Sequence, residues 1–367
     1  MGNHGHPGVN GENPLDPSQY APYLLECESR QPMKNVLSII SLISVAISLP
    51  ASAVIVAGAS GGGNTTNNTT RSQLESERGI AFPAYGNVIR YSDASGIYLG
   101  FNAATNDVWV LTARHITTNA TAGALVTIDG LTYNRQANGT DGFGLLPGGD
   151  LRLVRYRRAD LSVPSLPAVA LSSTVPTAGT ELVMIGFGQN RTQNATTNRN
   201  TSDAVPVAVG NGYNWSGTSV ERWGTNNIEA EFLNALEATG PVSGTTGTFL
   251  VAGYNSIGYM TDFDTPGPGE WLSSNEAQAS LGDSGGSALY YSGGQWILSG
   301  IFSSVGGPGG QMANTSAFGN FTLVTDVASY SGAIGSSLGT TLIPESASSA
   351  LLMLSAVALL VRRRRSA

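Results

Sequence analysis

Short strand-like segments constrain the fold of this chain more than any other feature. From about residue 80 onward, runs rich in Val, Ile, Leu, Tyr and Phe are separated by Gly, Asn and Pro. No long stretch repeats its apolar residues every 3.6 positions, as an amphipathic helix requires. Many short strands with turn residues between them indicate an all-β sandwich or barrel. Examples of the predicted strands are 86–91, 96–101, 107–113, 124–128, 150–156, 181–187, 247–254, 287–291 and 295–302.

One long segment lacks this pattern. Residues 188–246 contain few strand-like runs and many Asn and Thr residues, so we expect long loops there. Outside this segment, the strand-like runs recur at short intervals as far as residue 302.

Composition excludes several classes of function. Charged residues make up only 12% of the chain and the net charge is -7, so a basic surface for nucleic acid is not expected. Low charge with abundant Gly, Ser, Thr and Asn suits an exported β protein. The single cysteine, Cys27, precedes the region expected to fold, which therefore has neither a disulfide nor a thiolate metal site. We expect no cofactor and no metal.

A secretory signal is predicted near the N-terminus. Met33 and Lys34 precede an apolar stretch, and small residues ending at Ala53 offer a peptidase a cleavage site before Val54. The polar residues ahead of Met33 do not fit in front of such a signal, so we interpret them as a leader that precedes the true start. The predicted divisions are a leader at 1–32, a signal peptide at 33–53, a flexible linker at 54–79, a folded domain at 80–335, a second linker at 336–342 and a sorting segment at 343–367.

The C-terminus carries a second targeting pattern. Ile343-Pro344-Glu345-Ser346 precedes an apolar run that ends in four arginines, and this run is shorter than the roughly 20 residues of a free-standing membrane span. The pattern resembles the PEP-CTERM sorting signal of certain bacteria, with Ser346 in place of the usual Pro. The resemblance implies export to the cell envelope, cell surface or extracellular matrix, membrane contact through this segment, and processing by an exosortase-type enzyme. A plain C-terminal membrane anchor is the alternative.

Histidine is scarce in the region expected to fold. The chain has three histidines, of which His4 and His6 lie in the leader, so His115 is the only imidazole of the folded domain. It follows the predicted strand 107–113, at a point where a side chain can leave the sheet and reach a cleft. A lone histidine is more often structural than catalytic, so its interpretation depends on its partners.

Residues 282–286 read Gly-Asp-Ser-Gly-Gly and suggest a nucleophile. The hydroxyl of Ser284 needs a base to take its proton, and His115 is the available one. Gly282 can adopt backbone angles forbidden to other residues, which lets the amides of Gly282 and Ser284 point at one oxyanion. The two glycines after Ser284 are expected to leave room for a substrate chain.

An aspartate is the third expected partner. Asp150 opens the predicted strand 150–156, where its carboxylate can be buried beside a histidine and fix the tautomer of the imidazole. Four other aspartates compete for this role, although an exposed aspartate is usually a turn residue. They are Asp107, Asp129, Asp141 and Asp160.

These motifs resemble those of a known family. VLTARH (110–115), DLRLVR (150–155) and GDSGG occur in the order His, Asp, Ser of trypsin-like (chymotrypsin-fold) serine proteases. The segments 295–306 and 318–330 resemble the strands and final turn that follow the serine in that fold. The combination with a PEP-CTERM-like tail further resembles an exported bacterial subgroup.

The resemblance covers about 80–335 and implies two six-stranded antiparallel β-barrels with the active site in the cleft between them. It implies that His115 is a general base, Asp150 its orienting partner and Ser284 the nucleophile of a serine endopeptidase. The substrate would be a protein or peptide, and no cofactor is implied. Two alternatives stay open: an inactive trypsin-like surface or matrix binding protein, and a structural β-rich envelope protein.

The resemblance also locates a substrate pocket. Trypsins have an acidic residue six positions before the serine, whereas this chain has Gln278, so an Arg or Lys preference at the P1 position is not implied. In the segment that begins at Ser303, Val305 stands where a wide pocket has Gly. By resemblance, we expect a small or medium apolar P1 residue.

The partner of Asp283 is left open by the sequence. Family members activated by cleavage bury a new amino terminus against the aspartate before the serine, and residues 55–58 (Ile-Val-Ala-Gly) resemble such a start. Cleavage before Val54 leaves one residue ahead of that start. The alternative is an internal partner, because burial of an unpaired carboxylate is costly.

Overall fold

The computed structural model describes residues 54–57, 69–117, 124–137, 144–146, 148–197, 211–219, 221–230, 246–264, 275–307 and 314–338. The leader, the predicted signal peptide, Cys27 and the sorting segment 343–367 lie outside the described residues. In the part of the chain that is described, the helices are too short or too polar to span a bilayer.

The described chain consists mainly of β-strands. The strands are β1 (Ile55–Val56), β2 (Val88–Tyr91), β3 (Ala94–Asn102), β4 (Asp107–Ala113), β5 (Leu125–Ile128), β6 (Leu131–Arg135), β7 (Gly144–Leu145), β8 (Leu151–Arg157), β9 (Ala170–Leu171), β10 (Glu181–Gly186), β11 (Gln189–Thr197), β12 (Asn211–Ser219), β13 (Arg222–Asn227), β14 (Gly247–Val251), β15 (Tyr254–Asp262), β16 (Ala277–Gln278), β17 (Ser287–Ser292), β18 (Gln295–Gly306), β19 (Thr315–Ala317) and β20 (Phe321–Asp326). The described α-helices are α1 (Arg71–Arg78) and α2 (Ser331–Leu338), and short 3₁₀ helices lie at Pro83–Asn87 and Ala328–Tyr330.

The first barrel follows the strand order β2-β3-β4-β8-β6-β5, with β7 added beside β8. Neighbouring strands are antiparallel, and β5 lies next to β2, which brings the two ends of the sheet together. Because side chains alternate along a strand, one face of each strand fills the interior with apolar and aromatic groups. These include Tyr91, Tyr98, Val110, Val154 and Tyr156.

The second barrel follows the order β13-β10-β17-β18-β20-β15, and β15 lies next to β13. A backbone hydrogen bond from Glu229 to Met260 links the end of β13 to β15. β14 continues the sheet beyond β15, and β9 pairs in parallel with β18. The prediction of an all-β fold with two six-stranded antiparallel barrels is confirmed, with β7, β9 and β14 as additional strands.

A shared apolar core joins the two barrels. Ile97, Leu111 and Leu151 from the first barrel belong to the same buried cluster as Ile185 and Leu289 from the second. Full burial of such a side chain stabilises a protein by roughly 1.5–3 kcal/mol. The ends of β4 and β8 are therefore held against the second barrel, and this contact positions the candidate site.

The predicted flexible linker 54–79 differs from the structure at both ends. Val54–Ala57 is fully buried, and β1 pairs with β16, because its apolar side chains fill a space beside the second barrel. α1 forms because Thr70 and Gln73 make a capping box at its start and Gly79 ends it in the left-handed conformation. The buried side chain of Leu74 attaches this helix to the core.

Two further expectations about the chain differ from the structure. The segment 188–246, expected to consist of long loops, contains β11, β12 and β13, and β11-β12-β19 form a separate small sheet. Strand pairing depends on backbone hydrogen bonds, which Asn and Thr make as well as apolar residues do. α2 extends to Leu338, into the predicted linker 336–342, because Ile334 and Leu338 are buried.

Candidate active site

The pairing of β4 with β8 positions His115 and Asp150. The antiparallel register places Ala113 opposite Leu151, so the residues after β4 lie beside those before β8. The N–H of Arg114 donates to the carbonyl of Asp150 at 3.2 Å, and the chain then turns out of the sheet at His115.

Asp150 is fully buried and holds His115 through both carboxylate oxygens. Oδ1 accepts from the backbone N–H of His115 at 2.8 Å, and Oδ2 lies 2.7 Å from its Nδ1. Because an ionised carboxylate only accepts hydrogen bonds, it favours the tautomer that carries the proton on Nδ1. The other ring nitrogen, Nε2, is then available as a base.

Three of the other four candidate aspartates do not compete at this site. Three have partners of their own, either arginine side chains or a backbone N–H: Asp107, Asp129 and Asp160. The fourth, Asp141, lies outside the described residues.

Ser284 comes from the second barrel. Ser284 lies in the segment between β16 and β17, residues 279–286, which forms the serine loop. Its Oγ is 2.9 Å from Nε2 of His115. The carbonyl of Ser284 accepts a hydrogen bond from the N–H of Ser95 on β3 at 2.9 Å, which attaches this loop to the first barrel. The structure thus brings together the three predicted residues His115, Asp150 and Ser284, two from one barrel and one from the other.

In the part of the chain that the structure describes, the backbone around Gly282 leaves two N–H groups without a protein acceptor. Gly282 has a φ of +95°, in the left-handed region that favours glycine, and its carbonyl accepts from Oγ of Ser95 at 3.1 Å. Within the described residues, the N–H groups of Gly282 and Ser284 donate to no protein acceptor, whereas the N–H of Asp283 between them donates to Ser280. Both predicted oxyanion donors are therefore available for a ligand.

Gly285 serves a different purpose from the one expected. A Cβ at Gly285 would lie 2.0 Å from the carbonyl oxygen of Ser95 and 2.2 Å from Oγ1 of Thr112, and its φ is +83°. Gly286 is also buried against the second barrel. These two glycines permit close packing of the serine loop, and the expectation that they leave room for a substrate is wrong.

Asp283 is fully buried and surrounded by donors. Its carboxylate accepts from the N–H and Oγ of Ser280 at 2.7 and 2.9 Å, from the N–H of Gly188 at 2.7 Å, and from the N of Val54 at 3.2 Å. Burial raises the pKa of Asp283 to about 6, although the hydrogen bonds from Ser280, Gly188 and Val54 act to lower it. Internal donors and the N-terminal strand therefore contact the same carboxylate.

The predicted pocket residues have different environments. Gln278 is buried, and its Nε2 donates to the carbonyl of Phe321 at 3.4 Å. Val305 lies opposite Thr322 of β20, next to Phe321, so Gln278 and Val305 approach the same part of β20. The hydroxyl of Ser303 is buried 2.6 Å from that of Thr325, so this side chain faces the protein interior and not the predicted pocket.

Sequence reasoning missed three residues that hold the site. Oγ of Ser256 accepts from the N–H of Asp150 at 2.7 Å, and the hydroxyl of Tyr330 donates to the carbonyl of Gly148 at 3.2 Å. The guanidinium of Arg152 contacts the turn that carries the histidine. Only Arg152 has a sequence signal, a charged residue between two leucines of a buried strand; the other two contacts have no local signature.

No metal centre accompanies these residues in the described ranges: they contain no group of three or more His, Cys, Asp and Glu side chains that could hold an ion.

Comparison with known proteins yields fold similarities at low identity. No family model matches the sequence, and no curated protein matches it. The NS6 protease from murine norovirus 1 shares 13% identity, covering 66% of this chain and 90% of its own, with a TM-score of 0.32. Kallikrein-related peptidase 10 in complex with Zn²⁺ shares 14% identity, covering 71% of this chain and 98% of its own, with a TM-score of 0.39.

Proposed function

We propose that the protein is a serine endopeptidase of the trypsin-like type, acting on a protein or peptide substrate. The observation that carries the proposal is the continuous hydrogen-bond chain from Asp150 through His115 to Ser284, with contacts of 2.7 and 2.9 Å. A serine hydroxyl becomes a competent nucleophile when a positioned base takes its proton, and the base requires a third group to orient it.

The first half of the reaction is acylation. Oγ of Ser284 attacks the carbonyl carbon of the scissile peptide while its proton moves to Nε2 of His115. The carbonyl oxygen becomes an oxyanion, which accepts hydrogen bonds from the N–H groups of Gly282 and Ser284. Removal of one such donor costs roughly 3–4 kcal/mol of transition-state stabilisation in related chemistry. His115 then gives its proton to the leaving amine, the C–N bond breaks, and an acyl-enzyme remains.

The second half is hydrolysis. A water molecule takes the place of the leaving amine, His115 accepts one of its protons, and the hydroxide oxygen attacks the acyl carbon. Collapse of this intermediate breaks the ester bond, and His115 returns the proton to Oγ of Ser284. The carboxylate of Asp150 stays ionised throughout and stabilises the imidazolium that forms in each half.

Substrate preference is part of the proposal. Gln278 is uncharged, so it provides no ion pair for a P1 Arg or Lys, and Val305 reduces the width of the pocket. We propose that the P1 residue is small or medium-sized and apolar. Because Ser303 faces the interior, Gln278 and Val305 carry this preference.

Export is also part of the proposal. The pattern at 33–53 directs the chain out of the cytoplasm, and its removal exposes an amino group at Val54. The N atom of Val54 already lies 3.2 Å from Oδ2 of Asp283, which supports cleavage of the peptide bond between Ala53 and Val54. The PEP-CTERM-like segment 343–367 then holds the protein at the membrane until an exosortase-type enzyme processes it.

Labelling by a fluorophosphonate probe tests the nucleophile. We expect the purified protein to be labelled, Ser284→Ala to lose labelling, and the exposed-serine control Ser292→Ala to keep it. Labelling that survives Ser284→Ala would overturn the assignment. A wild-type protein that neither takes the probe nor cleaves a peptide library would favour the inactive binding protein.

The peptide library also tests the pocket. We expect cleavage after small or medium apolar residues, with Ser284→Ala as the inactive control. A profile dominated by Arg or Lys at P1 would overturn the roles given to Gln278 and Val305 without affecting the nucleophile.

A further inference from the structure

Arg152 contacts the turn that carries His115 on both of its sides. Its Nη2 donates to the carbonyl of Arg114 at 2.8 Å, and its Nη1 donates to the carbonyl of Ile116 at 2.6 Å. These are the residues immediately before and after His115. The side chain is buried, with 5% of its surface exposed.

The pairing of β4 with β8 explains this placement. The register sets Arg152 opposite Thr112, close to the end of β4, where the turn begins. Leu151 and Leu153 face the core between the barrels, and side chains alternate, so Arg152 shares its face with Val154 inside the first barrel.

This interior is a costly place for a cation. Burial lowers the pKa of Arg152, and the neighbouring Arg135 lowers it as well, while Tyr91 and Tyr254 raise it. The cost of desolvating the cation opposes the stability that its two hydrogen bonds contribute, so stability alone gives a weak reason for an arginine here.

The geometry of the guanidinium provides a stronger reason. Its planar fork holds two donors in a fixed relation, so two acceptors bonded to it are fixed relative to each other. Here the two acceptors are the peptide carbonyls that flank the candidate base. We propose that Arg152 is a positioning residue that holds the Arg114–Ile116 turn and thereby keeps Nε2 of His115 within reach of Ser284. This inference rests on the proposed function of the triad.

Two substitutions of Arg152 separate fork geometry from charge. Arg152→Met keeps the length and removes both hydrogen bonds, whereas Arg152→Lys keeps the charge and loses the planar fork. The matched control is Arg155→Met, because Arg155 lies on the same strand, is more exposed, and also donates to a backbone carbonyl, that of Ala137.

Kinetics on the full chain give the first readout. A displacement of about 1 Å at a catalytic group costs up to about 100-fold in rate, so we expect kcat of Arg152→Met to fall by about that factor with KM little changed. Arg152→Lys should recover part of the loss, and Arg155→Met should resemble the wild type. A purely structural role would instead lower the melting temperature and leave kcat per folded molecule unchanged.

NMR with ¹⁵N-labelled histidine gives a second readout that does not depend on activity. The signal missing from His115→Ala identifies the ring, and we expect its Nδ1–H resonance to shift in both Arg152 variants but not in Arg155→Met. Wild-type kcat and an unchanged His115 resonance in folded Arg152→Met would overturn the inference.

If Arg152→Met does not fold, Arg152→Lys tests the inference by the same two measurements, kcat and the Nδ1–H resonance of His115. If the wild-type protein takes no probe and cleaves no peptide, the proposed function fails. The His115 resonance then still decides whether Arg152 positions the ring.

Discussion

At the scale of single residues, His115 is held at three atoms. Its backbone N–H and Nδ1 are bonded to Asp150, and its Nε2 faces Ser284. The ring cannot rotate without breaking the contact with the buried carboxylate. The orientation and tautomer of the His115 ring therefore depend on one residue, Asp150.

Asp150→Asn tests this dependence. The substitution keeps the shape but replaces an acceptor oxygen with an NH₂ donor, which favours the tautomer protonated on Nε2. That tautomer cannot take the proton of Ser284, so we expect the rate of fluorophosphonate labelling to fall about 10⁴-fold. The control is Asp160→Asn, which changes an exposed carboxylate and should leave the rate near that of the wild type. Equal rates in the two variants would contradict the role given to Asp150.

At the scale of secondary-structure elements, the second barrel supports the aspartate of the first. Ser256, on β15, accepts the N–H of Asp150, and the N–H of Ile257 donates to the hydroxyl of Tyr330 at 3.1 Å. The same hydroxyl donates to Gly148, two residues before Asp150. The position of Asp150 therefore depends on β15 and on the 3₁₀ helix before α2 as well as on β8.

Ser256→Ala measures the strength of this support. The variant leaves the buried N–H of Asp150 without its acceptor, and an unsatisfied buried donor costs about 1–3 kcal/mol. We expect the free energy of unfolding, measured with urea, to fall by that amount. Ser336→Ala removes an exposed serine hydroxyl from α2 and should have little effect. Equal stability of Ser256→Ala and the wild type would show that the contact contributes nothing.

At the scale of the whole molecule, the N-terminal strand meets the serine loop at Asp283. Burial raises the pKa of this carboxyl from 3.8 to about 6 when the N of Val54 is a peptide amide. The folded protein then binds the proton of Asp283 more tightly than the unfolded chain does. The resulting stability is fully present below about pH 4 and is lost as the pH rises through about 6.

A free amino group at Val54 is expected to reverse this loss. Its positive charge favours the ionised carboxylate and lowers the pKa of Asp283. We therefore predict that a chain starting at Val54 keeps its stability between pH 4 and 7, whereas the same chain with an acetylated amino terminus loses about 3 kcal/mol. Urea unfolding at a series of pH values measures the difference.

Asp283→Asn is the control for this experiment. Without the carboxylate, acetylation should no longer change the pH dependence of unfolding. Identical pH profiles for the free and acetylated wild-type chains would contradict an ion pair between Val54 and Asp283.

Much of the candidate site is predictable because its residues belong to short sequence motifs. GDSGG needs glycine at positive φ on both sides of Ser284, and His115 is the only imidazole of the region expected to fold. All nine predicted strands overlap observed strands, because alternation and turn residues are local properties. The polar strands β11, β12 and β13 and the buried segment Val54–Ala57 were missed, because backbone pairing and distant burial leave little local signal.

The sequence by itself determined the all-β class, the chemical groups available for catalysis and their order along the chain. Only the tertiary structure decided which aspartate reaches His115, that Ser284 lies within hydrogen-bond distance of it across 169 positions, and that Arg152 and Ser256 hold the site. The physical reason is that such contacts arise from strand register and from packing between barrels. Residues far apart in sequence become neighbours there, and no local pattern records the pairing.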